Sequence, residues 1–261
     1  MHSAERESYI LRLLEEREFI SFQELERRID GSPATIRRDL ERLARDGRIE
    51  RIRGGARRPN GATDVSMPQS LSGAPFLQNI KLNLREKQAI GRAAASLCQA
   101  GEAVMIDGGS TTFQMCPHLA GLNLQVLTNS LHIVSALIGQ HGTRVLVPSG
   151  AVFPEQNIIL SVFGEDGMPR FHAPKLFMGA ATIGAQGLMQ ADVVLVAAER
   201  RLIERADQII VLVDASKFEG PSGNVVCALE EIDIIVTDAR IKPKTAEMIR
   251  KAGVRLITPK S

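Results

Sequence analysis

Cysteine is scarce in this chain, lysine is missing from its first 58 residues, and no long apolar run occurs. Cys98, Cys116 and Cys227 are odd in number and far apart, which excludes a disulfide framework and a zinc site. They are expected to act as small buried hydrophobes. The five histidines (His2, His118, His132, His141 and His172) show no ligand spacing, so no metal is expected, and nothing points to a cofactor. No stretch approaches the roughly 20 apolar residues that cross a bilayer. Glu5, Arg6 and Glu7 stand where a signal peptide would carry its apolar core. A cytoplasmic chain with no membrane partner is therefore expected. With 44% hydrophobic and 24% charged residues, the composition is that of a folded protein and not of a disordered one. No internal repeat is evident.

What is present is arginine. The net charge of +2 says little, but Arg37, Arg38, Arg42, Arg45, Arg48, Arg51, Arg53, Arg57 and Arg58 crowd the end of the lysine-free stretch. Only Asp39, Glu41, Asp46 and Glu50 oppose them there, as on a surface that meets phosphates. Ile10, Leu13 and Leu14 recur at helical spacing and predict a first helix from about Ala4 to Glu16. Ser21 before Phe22, Leu25 and Ile29 predicts a second, with Glu24 as capping-box partner. Ser32-Pro33 opens a third, whose buried stripe is Ile36, Leu40 and Leu43 and whose stop is Gly47. From Arg48 to Arg53 polar and apolar residues alternate as in a half-buried strand, and Gly54-Gly55 supplies a turn. Three short helices followed by a hairpin is the plan of a winged helix-turn-helix, a small α+β unit over residues 1–58.

In such a unit the third helix presents its first turn and one polar face to the major groove. Ser32, Pro33 and Ala34 form the helix start, whose free amides can hold a phosphate. Thr35, Arg37 and Arg38 point outward, where arginine can pair both acceptors of a guanine edge. Arg51 and Arg53 of the wing are expected to touch backbone or minor groove. The expected partner is duplex operator DNA. Because one head offers a small interface, a homodimer or homotetramer on repeated half-sites is expected.

Residues 59–80 lose periodicity, gain proline, glycine, serine and asparagine, and read as a linker. From 81 to 261 short β-branched runs alternate with helical stretches. The strands expected are Ala103–Ile106, Leu124–Leu127, Arg144–Val147, Lys175–Met178, Ile209–Val213, Ile232–Val236 and Val254–Ile257. Helical stretches include Thr111–Leu119, Ser130–Ile138, Val193–Ala206 and Lys244–Ala252. This is an α/β domain with a mostly parallel sheet. Such sheets bind ligands beyond the carboxyl ends of their strands. Asp107-Gly108-Gly109-Ser110-Thr111-Thr112 follows one strand and opens a helix; its amides, hydroxyls and helix start can meet an anion. Thr128 and Asn129, then Ser149 and Gly150, end the next two strands and fit the same rim. Asp214-Ala215-Ser216-Lys217 ends a later strand, either as a capped turn or as a ligand contact.

The run Ser32-Pro33-Ala34-Thr35-Ile36-Arg37-Arg38-Asp39-Leu40, with Leu43, Gly47 and Arg53-Gly54-Gly55-Ala56, resembles the signature of the DeoR family of sugar-metabolism regulators, and the resemblance covers essentially the whole chain. It implies a repressor of a sugar or sugar-acid catabolic operon, released by a phosphorylated sugar or sugar derivative. It also implies an effector domain related in fold to ribose-5-phosphate isomerase. There the loop at 107–112 and the stretch 214–217 line the sugar-phosphate site, with Lys217 on phosphate and Asp214 on a hydroxyl. One alanine, Ala215, departs from the family's Asp-Ser-Ser-Lys. Relatives often carry an aspartate after Phe-x-Gly-Ala, whereas this chain reads Phe177-Met178-Gly179-Ala180-Ala181. Of the acids nearby, Asp192 is expected to contact a hydroxyl and Glu199 to be a helix-surface charge. Isomerisation needs a positioned base, so the missing carboxylate argues against an enzyme with a DNA-binding head. A transcription activator is the other alternative.

Overall fold

A computed structural model describes residues 3–16, 19–29, 31–46, 48–52, 55–57, 71–161, 167, 169–220 and 223–259. The chain divides into two compact units, Met1–Pro68 and Gln69–Ser261.

In the first unit, helices α1 (Ser3–Glu16), α2 (Phe22–Arg28) and α3 (Pro33–Arg45) pack with a small antiparallel sheet. Its strands are β1 (Phe19–Ser21), β2 (Glu50–Ile52) and β3 (Gly55–Arg57), with β3 in the middle. Both expected caps form: Ser21 Oγ accepts the Glu24 N–H at 3.2 Å, and Ser32 Oγ accepts the Thr35 N–H at 3.2 Å. Pro33 occupies the first turn of α3, where its missing N–H has no partner to lose. Ile36, Leu40 and Leu43 bury against Ile10, Leu14, Leu25 and Ile49. Strand β1 has no signal in the sequence, because three residues are too few to show alternation. Gly47, Arg53 and Gly54, expected as helix stop, wing contact and turn, lie outside the described residues.

The second unit is built on a seven-stranded sheet, parallel throughout. Its strands are β4 (Ala103–Ile106), β5 (Gln125–Leu127), β6 (Arg144–Leu146), β9 (Ala173–Met178), β12 (Ala206–Leu212), β14 (Ile234–Val236) and β15 (Arg255–Ile257). They lie in the order β15-β14-β12-β9-β4-β5-β6. All seven apolar runs picked out in the sequence thus join one sheet. Alternation along the strands divides the core in two. Val104, Ile106, Phe177, Ile210 and Leu212 bury on one face with Ile90 and Ala94 of α5 (Leu84–Ala95) and Ile133 and Leu137 of α6 (Leu131–Leu137). Met105, Leu176, Met178 and Val211 bury on the other, with Leu202 of α7 (Val193–Ile203) and Ile249 of α8 (Pro243–Lys251). A second sheet, β10 (Thr182–Gly184), β11 (Gly187–Gln190) and β13 (Asn224–Cys227), adds Ile183, Leu188 and Val226 to that side. A hairpin of β7 (Ala151–Phe153) and β8 (Ile158–Leu160) lies apart from both sheets.

Two segments differ from the sequence reading. Thr112–His118 is a 3₁₀ helix and not an α-helix. Pro117 within it lacks an N–H and would clash with an α-helical carbonyl. Of the stretch read as linker, residues 71–80 belong to the second unit: Leu71 and Phe76 are buried, and α4 (Phe76–Asn79) forms a short turn. The Phe76 ring stacks on His132 at 4.0 Å between centroids.

Candidate DNA-binding face and ligand cavity

The head places its basic residues on the outer side of α3. Arg37 and Arg38 are exposed, and the Arg37 guanidinium lies 5.1 Å from the centroid of the Phe22 ring. Thr35, Arg38, Arg42 and Arg45 border one shallow groove, at spacings of three and four residues along the helix. Arg42 and Arg45 thus extend the expected set of Thr35, Arg37 and Arg38, at a helical spacing that is visible in the sequence. The groove's floor is braced by Asp39, which is buried and accepts Arg6 Nε at 2.7 Å and Arg42 Nη2 at 3.0 Å. A buried carboxylate needs such partners, and they hold α3 against α1. Ser32 and Thr35 hydroxyls are 2.9 Å apart, so both take part in the cap. Arg51 on β2 pairs with Glu41 of α3 at 2.9 Å, which ties the wing to the helix beside it.

The second unit contains a cavity of about 190 Å³ at the carboxyl ends of β4, β9 and β12. Asp107, Gly108, Gly109, Ser110 and Thr111 form one wall, Gly179, Ala180 and Ala181 another, and Lys217 enters from the 3₁₀ turn Ala215–Phe218. Ser72, Gly73, Ala74, Phe76 and Asn79, from the segment that leads in from the first unit, close a third side. The close packing of the loop explains Gly108: a Cβ there would lie 2.5 Å from Ile158 Cγ2 and 3.1 Å from Asn129 Oδ1.

The structure sorts the expected site residues into two groups. Asp107 to Thr111 and Lys217 line the cavity, whereas Thr112, Thr128, Asn129, Ser149, Gly150, Asp192 and Asp214 are not among its lining residues. Asn129 Nδ2 donates to Asp107 Oδ1 at 2.8 Å, and its Oδ1 accepts the Gly108 N–H at 2.8 Å, so Asn129 orients the loop. Thr112 Oγ1 lies 2.8 Å from the Asp107 carbonyl and closes the turn. Thr128 accepts the Ser130 N–H at 3.2 Å, and Ser149 donates to the Gly167 carbonyl at 3.1 Å. Gly150 sits at φ +155 against the Leu160 carbonyl, where no side chain fits.

Asp192 and Asp214 act as clasps. Asp192 caps α7 through the Val194 N–H at 2.9 Å and accepts the Ser72 N–H at 3.0 Å. Asp214 accepts Asn83 Nδ2 at 2.9 Å and the Ser216 N–H at 3.1 Å. The buried Lys87 ammonium donates to the Asn79 carbonyl at 2.5 Å, and burial lowers its pKa. The segment 72–83, whose residues Ser72, Gly73, Ala74, Phe76 and Asn79 line the cavity, is therefore fastened at Ser72, Asn79 and Asn83.

One residue overturns its reading. Glu199 is no surface charge: it is 3% exposed, lines the cavity, and its Oε1 accepts Gln190 Nε2 at 2.6 Å. Burial, then the Asp107 charge, push its pKa well above the carboxylate range. Burial likewise raises Asp107 to about 6, against the Asn129 and Gly108 hydrogen bonds that lower it. The sequence Ala-Ala-Glu-Arg-Arg around Glu199 looks like a solvated helix face, so no local signal marks it. Among the described residues no cluster able to hold a metal is found, and no helix is long and apolar enough to cross a membrane.

A helix-turn-helix head with an arginine-lined groove, joined to an α/β unit with a polar cavity at its strand ends, defines a DNA-binding transcription regulator with a sensor domain. Comparison with known families agrees: residues 6–61 match the DeoR-like helix-turn-helix domain, and residues 82–239 match the DeoR C terminal sensor domain. The chain belongs to the DeoR family. It is 28% identical over 257 residues to the HTH-type transcriptional regulator UlaR of Shigella dysenteriae, covering 98% of this chain and 99% of that one. The UlaR of Escherichia coli strain SMS-3-5 is similar at the same identity and coverage. Among solved structures, the probable sor operon regulator from Shigella flexneri overlaps 69% of this chain and 92% of its own, at 12% identity and a TM-score of 0.43. Ribose 5-phosphate isomerase A from Methanocaldococcus jannaschii overlaps 52% of this chain and 55% of its own, at 16% identity and a TM-score of 0.38.

Proposed function

We propose that the protein is a repressor of a sugar or sugar-acid catabolic operon, acting in the cytoplasm as a homodimer or homotetramer, and that a phosphorylated sugar in the cavity releases it from DNA. The observation that carries this reading is the third side of the cavity. Residues 72–79 both wall the cavity and continue the chain that leads from the DNA-binding head. A ligand seated against them bears directly on the segment through which the two units are joined. Lys217 supplies a cation, and the amides of Gly109 and Ser110 supply donors, for a phosphate. Release requires that the ligand bind the form that holds DNA badly more tightly than the form that holds it well. Leu77, Leu82 and Leu84 are exposed near one another in sequence, which supports self-association.

The test uses full-length protein on a duplex selected from a random pool, with phosphorylated sugars added singly and DNA binding followed by fluorescence anisotropy. At least one is expected to release the duplex, and Lys217→Ala is expected to abolish release while leaving DNA affinity unchanged. Release equally strong in Lys217→Ala would remove the phosphate assignment. The pair of buried carboxyls, Asp107 and Glu199, favours a second reading, an enzyme that moves protons on a sugar phosphate. Turnover of pentose or hexose phosphates at ordinary enzymatic rates would establish it; we expect none.

A further inference from the structure

The arginines of the head are held in two ways. Arg6, Arg42 and Arg51 pair with carboxylates, the first two on the buried Asp39 and the third on Glu41. Each such pair commits guanidinium donors to an acid within the head. Arg37 is held differently. It is exposed, and its Cζ lies over the Phe22 ring, 5.1 Å from the centroid. It stands about 100° round α3 from Arg38, off the groove that Arg38, Arg42 and Arg45 border. A ring attracts a cation through the charge distribution of its face, so it restrains the guanidinium without claiming its donors as a carboxylate does.

The ring is itself held. Phe22 is the first residue of α2 and directly follows the N-cap Ser21, whose Oγ accepts the Glu24 N–H at 3.2 Å. Ser21 pairs with Gly55 in the small sheet, and the half-buried Phe22 packs against the core of the head. Cap, strand pairing and core contact leave the ring little freedom, as a support for a recognition group requires.

We propose that Phe22 is a positioning residue for sequence reading: its ring presents the fork of Arg37 to the edge of one base pair, and so adds to discrimination at that pair and not to affinity for DNA in general. The proposal rests on the reading of α3 as the helix that enters the major groove. Guanine offers two acceptors side by side on that edge, and the planar arginine fork meets both at once. A phosphate contact serves any cation nearby, whereas a bidentate base contact needs a fixed one, so the restraint on Arg37 matters where a base is read. An arginine already restrained also loses less rotamer freedom on binding.

The test takes full-length protein, a duplex selected from a random pool, its single base-pair substitutions and an unrelated duplex, with binding followed by anisotropy at one salt concentration. Arg37→Ala is expected to flatten the preference at one G·C pair by about fivefold or more. Phe22→Leu keeps an apolar side chain without the ring. It is expected to shrink the preference at that same pair by about twofold to fivefold, the worth of an exposed cation–π contact, and to leave the other pairs and the unrelated duplex unchanged. Phe22→Tyr restores a ring and is expected to recover the wild-type preference. In the Arg37→Ala background Phe22→Leu is expected to change nothing further. A merely structural Phe22 predicts a different pattern, equal weakening on every duplex and in both backgrounds, and that result overturns the proposal. Arg37→Lys keeps the charge without the planar fork at an exposed position; undiminished preference at every pair in this variant overturns the proposal even where Phe22→Leu fails to fold. Arg38→Ala tells the two readings apart: if it weakens binding while Arg37→Ala changes no preference, α3 still meets DNA and only the proposal falls. If neither variant alters binding, the reading of α3 falls as well.

Discussion

Asp107 offers a direct reading of how the cavity is built, through the pH dependence of stability. In the folded protein burial lifts its carboxyl from an ordinary 3.8 to about 6. At about 1.4 kcal/mol per pH unit, that difference corresponds to about 3 kcal/mol of preference for the neutral form. The sign follows from proton binding: between about pH 4 and 6 the native state holds a proton that the unfolded chain has released, so stability falls as pH rises through this window. Below about pH 4 both states are protonated and the penalty vanishes; above about pH 7 it is complete. Asp107→Asn removes the charge, and its amide oxygen can still accept the bond from Asn129. The variant is therefore expected to gain on the wild type by about 3 kcal/mol between pH 4 and pH 8, whatever their difference at pH 4. Glu199 titrates in both proteins, and losing the Asp107 charge eases its own penalty, which adds to the gain in the same direction. Urea unfolding at pH 4, 5, 6, 7 and 8, read by hydrogen exchange on peptides from β4 and β12, isolates the sensor unit from the head. A difference between the two proteins that stays flat across this range would refute the picture of a buried, neutral-preferring acid at the cavity floor.

Arg38→Ala removes an exposed arginine from the groove along α3 and is expected to weaken binding to a selected duplex by about 1–3 kcal/mol. Unchanged affinity by anisotropy would take Arg38 out of the interface. Gly91→Ala would set a Cβ 2.5 Å from the Gln114 carbonyl carbon and 2.6 Å from its oxygen, where α5 meets the 3₁₀ helix. Overpacking against backbone is expected to outweigh the gain in helix propensity and lower sensor stability by about 1–3 kcal/mol, seen as a lower urea midpoint; an unchanged or higher midpoint would show that the contact relaxes freely.

The relation between sequence and fold is clearest at the helix caps and the strands. Ser21 and Ser32 could be recognised as caps because capping is local: the acceptor and its N–H are three residues apart. The third helix of the head, with its arginines outward and Ile36, Leu40 and Leu43 inward, follows from helical periodicity alone. The seven strands stood out because a parallel sheet covered on both faces needs continuous apolar runs. These features, together with the family signature, made the regulator and its two-part plan legible without coordinates.

What only the tertiary structure decided is how distant residues meet. The order β15-β14-β12-β9-β4-β5-β6 depends on crossovers of many residues, which no local pattern records. Asp192 and Asp214 look like ligand contacts in the chain, yet packing turns them into clasps on Ser72 and Asn83, more than a hundred residues away. Glu199 looks like surface and is buried, because α7 packs its Glu199 side against β11, where Gln190 meets it. The sequence by itself determined that this protein holds DNA with one unit and an α/β sensor with the other. The docking of helices on the sheet decided which acids face the cavity, because burial and charge at a site are set by neighbours in space and not in sequence.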